Sequence, residues 1–86
     1  MKDYIEVLDK NNEFKKMEIV TIFNIENYDY NYIIYTELDK SNYYLAKYKG
    51  DKINELLSNF DEKEFEIANE IFNGVVKNGW ISKKPS

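Results

Sequence analysis

The segment from Asp61 to Asn78 constrains the fold most, because its apolar residues recur with the period of an α-helix. They form one stripe, which comprises Phe65, Ala68, Ile71, Phe72, Val75 and Val76. A helix with one apolar stripe buries that stripe against another element of the fold. We therefore predict a C-terminal amphipathic helix that covers one face of a sheet, with Phe72 buried at mid-stripe. The side chains predicted to contact this ring are Ile19, Phe23 or Ile34.

The start of this helix carries a capping signal. Asp61 suits the N-cap, because its carboxylate can accept hydrogen bonds from the backbone N–H groups of the first turn. Glu64, three residues later, can bond back to the N-cap amide as in a capping box. Phe60, just before the cap, can pack against Phe65 as a hydrophobic staple. The sequence therefore predicts that the helix begins directly after Asp61.

The sequence does not decide at which residue the helix ends. Residues 73–74 and 78–79 are both Asn-Gly pairs, and each is typical of a C-cap with Gly in the left-handed conformation. We favour the later stop, at Asn78, since burying Val75 and Val76 can offset the ~1 kcal/mol that an internal Gly costs. Residues 1–81 are then predicted to form a single domain, followed by a disordered polar tail at residues 82–86.

The rest of the chain consists of short apolar segments separated by polar turns. Strands are predicted at residues 4–8, 14–24, 30–38 and 43–49, and residues 53–57 are either a fifth strand or a helical turn. The connections are too short for parallel crossovers, so neighbouring strands are expected to be antiparallel. The predicted fold is α+β: a four- or five-stranded antiparallel meander with one C-terminal amphipathic helix packed on one face.

The predicted strands have apolar side chains on both faces, whereas one helix covers only one face. Alternation along strand 14–24 predicts a shared face for Met17, Ile19, Thr21 and Phe23. The face without the helix is predicted to expose Tyr35, Tyr44 and Tyr48. Tyr combines a large apolar area with a hydroxyl that can stay hydrated, so it suits surfaces that are buried on association. These three tyrosines are the candidate interface. The alternative is that the strands curl into a partial barrel, which would cover both faces within one chain and place the tyrosines inside it.

Composition narrows the range of functions. The net charge is −4, all 12 basic residues are Lys, and the chain has no His and no Cys. Acidic charge and the absence of Arg disfavour nucleic acid as a partner, because its recognition depends on a basic patch and on Arg. The absence of His removes the usual acid–base group and the commonest metal ligand. We therefore predict no enzyme activity, no catalytic or metal-binding residues and no cofactor.

The largest group of carboxylates lies on the predicted helix, at Glu62, Glu64, Glu66 and Glu70. Glu66 and Glu70 are one turn apart and could hold a hard cation weakly. We interpret the group instead as a solvated helix face, which also suits the positive end of the helix dipole. The chain has no apolar run near the ~18 residues of a membrane span, so it is predicted to be soluble and cytoplasmic, with no membrane partner.

The order of turns and strands is also informative. The turn at residues 9–13 precedes Phe14, the next strand ends in Thr21-Ile22-Phe23, residues 32–35 are Tyr-Ile-Ile-Tyr, and the helix starts with acidic residues 61–64. This pattern, over most of residues 4–73, resembles the small YrzB-like family of uncharacterised bacterial domains, with Asn12 where that family usually has Gly. The resemblance implies no catalytic residue and no substrate.

The function predicted from these features is that of a small acidic, non-enzymatic protein-interaction module. It would bind a protein partner or form a homodimer through the tyrosine-rich sheet face, since an exposed aromatic face usually marks an interface. The alternative is an acidic inhibitor or immunity-like protein, whose negative surface blocks a basic partner.

Overall fold

The structure is a computed structural model that describes residues 3–77. This part of the chain contains four antiparallel strands and one helix. In chain order the elements are β1 (Tyr4–Leu8), β2 (Phe14–Asn24), β3 (Asn31–Glu37), β4 (Tyr43–Tyr48) and α1 (Glu62–Lys77). Each strand hydrogen-bonds to the next one in sequence, so the sheet order is β1-β2-β3-β4. The predicted α+β meander with one C-terminal helix is therefore confirmed.

Residues in the left-handed conformation close the turns between strands. Asn12, at φ 62°, closes the β1–β2 turn, and Asn27, at φ 78°, lies in the β2–β3 connection. Asn is one of the few residues with a side chain that tolerate this region. Asp9 Oδ1 accepts two backbone N–H bonds within the first turn, at 2.8 and 3.0 Å. Lys40, at φ 60°, adopts the same left-handed conformation in the β3–β4 turn, although Lys tolerates it less well than Asn.

A β-bulge in β2 reverses the alternation of its side chains. Odd-numbered residues before the bulge point to one face of the sheet, and odd-numbered residues after it point to the other face. Ile19 is opposite Tyr35 and Thr21 is opposite Ile34, so Val20 is an extra residue in the ladder. Because side chains alternate along a strand, one extra residue reverses which face the later positions occupy. The predicted shared face of residues 17, 19, 21 and 23 is therefore wrong.

Two apolar clusters lie on the two sides of the sheet. The cluster on the helix-free face consists of the buried residues Met17, Ile33, Tyr35, Ala46 and Tyr48. The cluster on the helix face consists of the buried residues Ile25, Tyr32 and Ala68, with half-buried neighbours that include Phe23 and Leu45. Ile19 packs against the first cluster and Phe23 against the second, as the bulge requires.

The local signals at the start of α1 are confirmed. The Glu64 backbone N–H donates to Asp61 Oδ1 at 2.7 Å, and the Asp61 N–H donates to Glu64 Oε1 at 3.0 Å, which completes the capping box. The Phe60 and Phe65 rings meet edge to face with centroids 5.9 Å apart, as a staple does. At the other end, α1 continues through Gly74 to Lys77, so the stop at Asn73 is excluded.

Several predictions for the C-terminus concern residues outside the described part of the chain. The C-cap at residues 78–79 and the polar tail at residues 82–86 are among them. The predicted boundary of a single domain at residue 81 also lies there.

The apolar stripe of α1 is turned away from its predicted orientation. The residues of α1 that are buried, within the described chain, are Glu64 and Ala68. Phe65 and Ile71 are 48% and 37% exposed, and Phe72 is half-buried and belongs to neither buried cluster. The prediction that Phe72 is a buried core residue is therefore wrong. The orientation of α1 differs from the predicted one because Glu64 lies in the sheet–helix interface, where it pairs with a buried Lys.

The segment between β4 and α1 is neither a fifth strand nor a helical turn. Lys49 and Lys52 carbonyl oxygens accept the backbone N–H bonds of two consecutive turns. Leu57 then forms one antiparallel bridge with Lys47, through N–H···O bonds of 2.8 and 3.0 Å. Ile53 and Leu56 from this segment pack against the cluster on the helix-free face.

Candidate interaction surface

The three predicted interface tyrosines lie on the helix-free face, as expected, but only one of them is accessible. Tyr35 and Tyr48 are buried, with 9% and 7% of their surface exposed, and Tyr44 is half-buried. Ile53 and Leu56 pack against their cluster because the chain folds back over this face before α1. The prediction that Tyr35 and Tyr48 form an exposed patch is therefore wrong.

Tyr35 and Tyr44 form a stacked pair in which the first ring supports the second. Their centroids are 5.3 Å apart and their planes differ by 25°. The Tyr44 hydroxyl donates to Glu37 Oε2 at 2.9 Å, and this bond raises the Tyr44 pKa, with burial adding to it. Burial raises the pKa of Tyr35. Tyr44 is thus held in one orientation at the edge of an open groove.

This groove, of about 640 Å³, crosses all four strands at the end of the sheet where the β1–β2 and β3–β4 turns lie. Its apolar lining comes from Val7, Leu8, Met17, Tyr35 and Tyr44. Its polar rim comes from Asp9, Lys10, Asn11, Lys15 and Glu37. An apolar floor inside a charged rim is the composition of a protein contact surface.

Glu37 is the most heavily hydrogen-bonded group on the rim. Its carboxylate accepts from the Ser41 hydroxyl, from Tyr44, from Asn42 Nδ2 at 3.2 Å and from Lys15 Nζ at 3.4 Å. The bonds from Ser41, Tyr44 and Asn42 lower its pKa to about 2. A carboxylate that remains ionised at neutral pH and already accepts several bonds is a poor general base.

Further apolar side chains are exposed on the first hairpin, on the face of the sheet opposite to that of the groove floor. Leu8 and Phe14 lie directly opposite each other in the β1–β2 ladder, and they are 53% and 71% exposed. Tyr4, at the other end of β1, is 45% exposed. None of these residues was predicted to be part of the interface. Their exposure could have been predicted, because a single helix is too narrow to cover both edges of a four-stranded sheet.

A second polar group is buried between α1 and the sheet. Lys47 Nζ lies 2.9 and 3.1 Å from the two carboxylate oxygens of Glu64, and the residues are 4% and 2% exposed. The Tyr32 hydroxyl donates to Glu64 Oε2 at 2.6 Å. The Lys47 ammonium also lies 4.0 Å from the centroid of the Tyr30 ring. The interpretation of Glu64 as part of a solvated helix face is therefore wrong.

The electrostatics of this group favour a structural role. Burial raises the pKa of Glu64, but hydrogen bonds from Tyr32, Lys47 and the Asp61 amide outweigh it, so the net direction is downward. Burial, followed by the bond to Glu64, raises the pKa of Tyr32 far above its usual value. Glu64 therefore remains ionised and Tyr32 protonated, and neither is suited to exchange a proton near neutral pH.

No cluster of carboxylates among residues 3–77 has the arrangement needed to hold a metal ion. In the same part of the chain, no helix has both the length and the apolar character needed to span a membrane. Comparison with protein-family models and with solved structures gives no match.

Proposed function

We propose that this chain is a small acidic, non-enzymatic protein-interaction module, which binds its partner at the β1–β2 end of the sheet. The observation that carries the proposal is the exposed apolar pair Leu8 and Phe14, at the same end of the sheet as the apolar-floored groove but on the opposite face. Large apolar side chains exposed together, and bordered by charges, are characteristic of a surface that another protein covers.

The chemistry of the two carboxylates with the most hydrogen bonds, Glu37 and Glu64, supports a non-enzymatic function. Glu37 is an ionised acceptor bonded to several donors, and Glu64 is buried in an ion pair. General acid–base catalysis needs a group whose pKa lies near the working pH and whose proton can reach a substrate. Neither carboxylate meets that requirement.

Self-association of the module would now depend on a smaller surface than the sequence suggests. Tyr35 and Tyr48 contribute to the fold of one chain, so Tyr44 and the apolar side chains of β1 are what a second copy could cover.

The alternative, an acidic inhibitor or immunity-like protein, is favoured by a different observation. The exposed first strand region carries Asp3 and Glu6 and has no basic residue. The cytoplasmic location and the YrzB-like resemblance stay predictions from the sequence.

The proposal is tested by replacing the exposed pair. Leu8→Ser combined with Phe14→Ser should leave the fold intact, because both side chains are largely exposed, and should abolish the contact with the partner. Ile71→Ser is the matched control, since Ile71 is an exposed apolar residue on α1. The measurements are cross-linking mass spectrometry in the native cell and sedimentation of the pure protein at ~100 μM, where a contact of about −7 kcal/mol is formed. Loss of the contact in both variants, or in neither, would contradict the proposal.

A further inference from the structure

The backbone of β1 offers one row of hydrogen-bonding groups to an additional strand. The Ile19 N–H donates to the Asp3 carbonyl at 2.8 Å, and the Asp9 N–H donates to the Glu13 carbonyl at 2.9 Å. In an antiparallel ladder, hydrogen-bonded pairs alternate with pairs whose backbone groups point outward. Odd-numbered residues of β1 therefore bond to β2. The residues with outward N–H and C=O groups are Tyr4, Glu6 and Leu8.

The two edges of the sheet differ. Within residues 3–77, no strand pairs with the outer side of β1. At the other edge, both outward backbone groups of Lys47 are bonded to Leu57. The chain itself thus blocks the addition of a full-length strand along β4. An unblocked edge strand is a template for β-strand addition by another protein.

The charge of β1 indicates what the added strand would carry. Asp3 and Glu6 are exposed, and residues 3–9 contain no basic side chain. Lys16 is the cross-strand neighbour of Glu6, but its ammonium lies over the Tyr4 ring, 4.4 Å from the centroid. The carboxylate of Glu6 therefore faces solvent at the centre of the edge.

The same charge disfavours pairing of β1 with a second copy of itself. The antiparallel register that bonds all three outward residues places Tyr4 opposite Leu8 and Glu6 opposite Glu6 of the other copy. Like charges directly opposite each other destabilise a strand pair. Opposite charges stabilise it, so the edge favours a different, basic partner.

We propose that β1 accepts an extended segment of another protein as a fifth antiparallel strand, with Lys or Arg opposite Glu6. Alternate residues of that segment would be apolar, because Ile5 and Val7 point to the helix-free face, beside the groove. This inference rests on the proposed function and names the class of partner: a basic, extended peptide segment with alternating apolar residues.

The test uses the full-length chain, labelled with ¹⁵N, and a synthetic eight-residue peptide of alternating Lys and Val with Thr at its ends. Amide hydrogen exchange is measured by NMR as the peptide is added. Exchange at the outward amides of Tyr4, Glu6 and Leu8 should slow about tenfold when the peptide is at ten times its dissociation constant. The amides of Ile5 and Val7, already bonded to β2, should change little.

Two controls make the result specific. A peptide with Glu in place of each Lys should give no protection, and Glu6→Lys should reverse the preference between the two peptides. The inference is overturned if the Lys peptide protects none of the three outward amides at ~10 mM, or if both peptides protect them equally. If strand addition fails while the Leu8/Phe14 double variant still loses its partner, the interaction module stands without this mode of binding. If the double variant keeps its partner, the proposed function itself fails.

Discussion

Lys47 and Glu64 form a buried ion pair that joins β4 to the first turn of α1, with 2.9 Å between Nζ and Oε2. A buried pair adds little net stability relative to apolar residues of the same size, because desolvation offsets the attraction. Its effect here is on geometry. Glu64 can reach Lys47 and still cap Asp61 only in a narrow range of helix rotations. The pair therefore determines which side of α1 faces the sheet.

Breaking this pair from one side should be costly. Glu64→Gln leaves the Lys47 ammonium buried without its counter-charge, and we expect the free energy of unfolding to fall by about 3–5 kcal/mol. Glu62→Gln, at an exposed carboxylate in the same turn, should cost less than about 1 kcal/mol. Urea denaturation of both variants measures the difference. Equal losses would show that burial of Glu64 contributes nothing specific.

Glu37 should make stability depend on acid. Hydrogen bonds from Ser41, Tyr44 and Asn42 lower its pKa from 4.5 to about 2 in the folded state. A depressed folded-state pKa means that the stabilisation is fully present above pH 4.5 and is lost as the pH falls through about 2. The stability difference between the wild type and Glu37→Gln should therefore be largest at neutral pH and shrink across this window. Denaturation midpoints at a series of pH values check the sign, and a difference that grows in acid would contradict it.

Two glycines should respond in opposite directions to the same substitution. Gly74 lies inside α1, and a Cβ there would meet no atom within 4 Å, so Gly74→Ala should stabilise the fold by about 0.5–1 kcal/mol. Gly50 has equal space but a φ of +59°, so Gly50→Ala should destabilise it by about 1–2 kcal/mol. Thermal unfolding measures both variants. A stabilised Gly50→Ala would contradict the assigned backbone conformation.

Tyr48 should behave as a residue of the fold and not as an interface residue. It is buried in the cluster on the helix-free face, so Tyr48→Ser should cost about 3–5 kcal/mol. Tyr44→Phe removes one hydroxyl that bonds to Glu37, and should cost about 0.5–1.5 kcal/mol. Circular dichroism during urea denaturation gives both values. If Tyr48→Ser had wild-type stability, Tyr48 would not contribute to the fold and would again be a candidate interface residue.

The parts of the fold that were predictable depend on neighbours in sequence. Asp61 and Glu64 are three residues apart, so their mutual hydrogen bonds follow from helix geometry alone. The antiparallel order of the strands follows in the same way from short connections. The end of α1 could be favoured but not decided, because the burial of Val75 and Val76 that offsets the cost of Gly74 depends on the tertiary fold.

The errors come from interactions between distant residues. The bulge at Val20 changes the face of Phe23, and no local signal marks it because Val is a favourable strand residue on either face. Lys47 and Glu64 are 17 residues apart, and a strand Lys normally projects into solvent. Ile53 and Leu56 pack against the cluster that contains Tyr48, and the Leu57 bridge holds their segment beside β4. The accessible surface was predicted wrongly for that reason.

The bridge between Lys47 and Leu57 also limits the size of any assembly built by strand addition. Chains with two open sheet edges can join head to tail into a filament, whereas chains with one open edge cannot repeat that contact from copy to copy. Because Leu57 occupies part of the β4 edge, the sheet formed by residues 3–77 has one edge open to a full-length strand. Strand addition at β1 should therefore not by itself link copies of this chain into a filament.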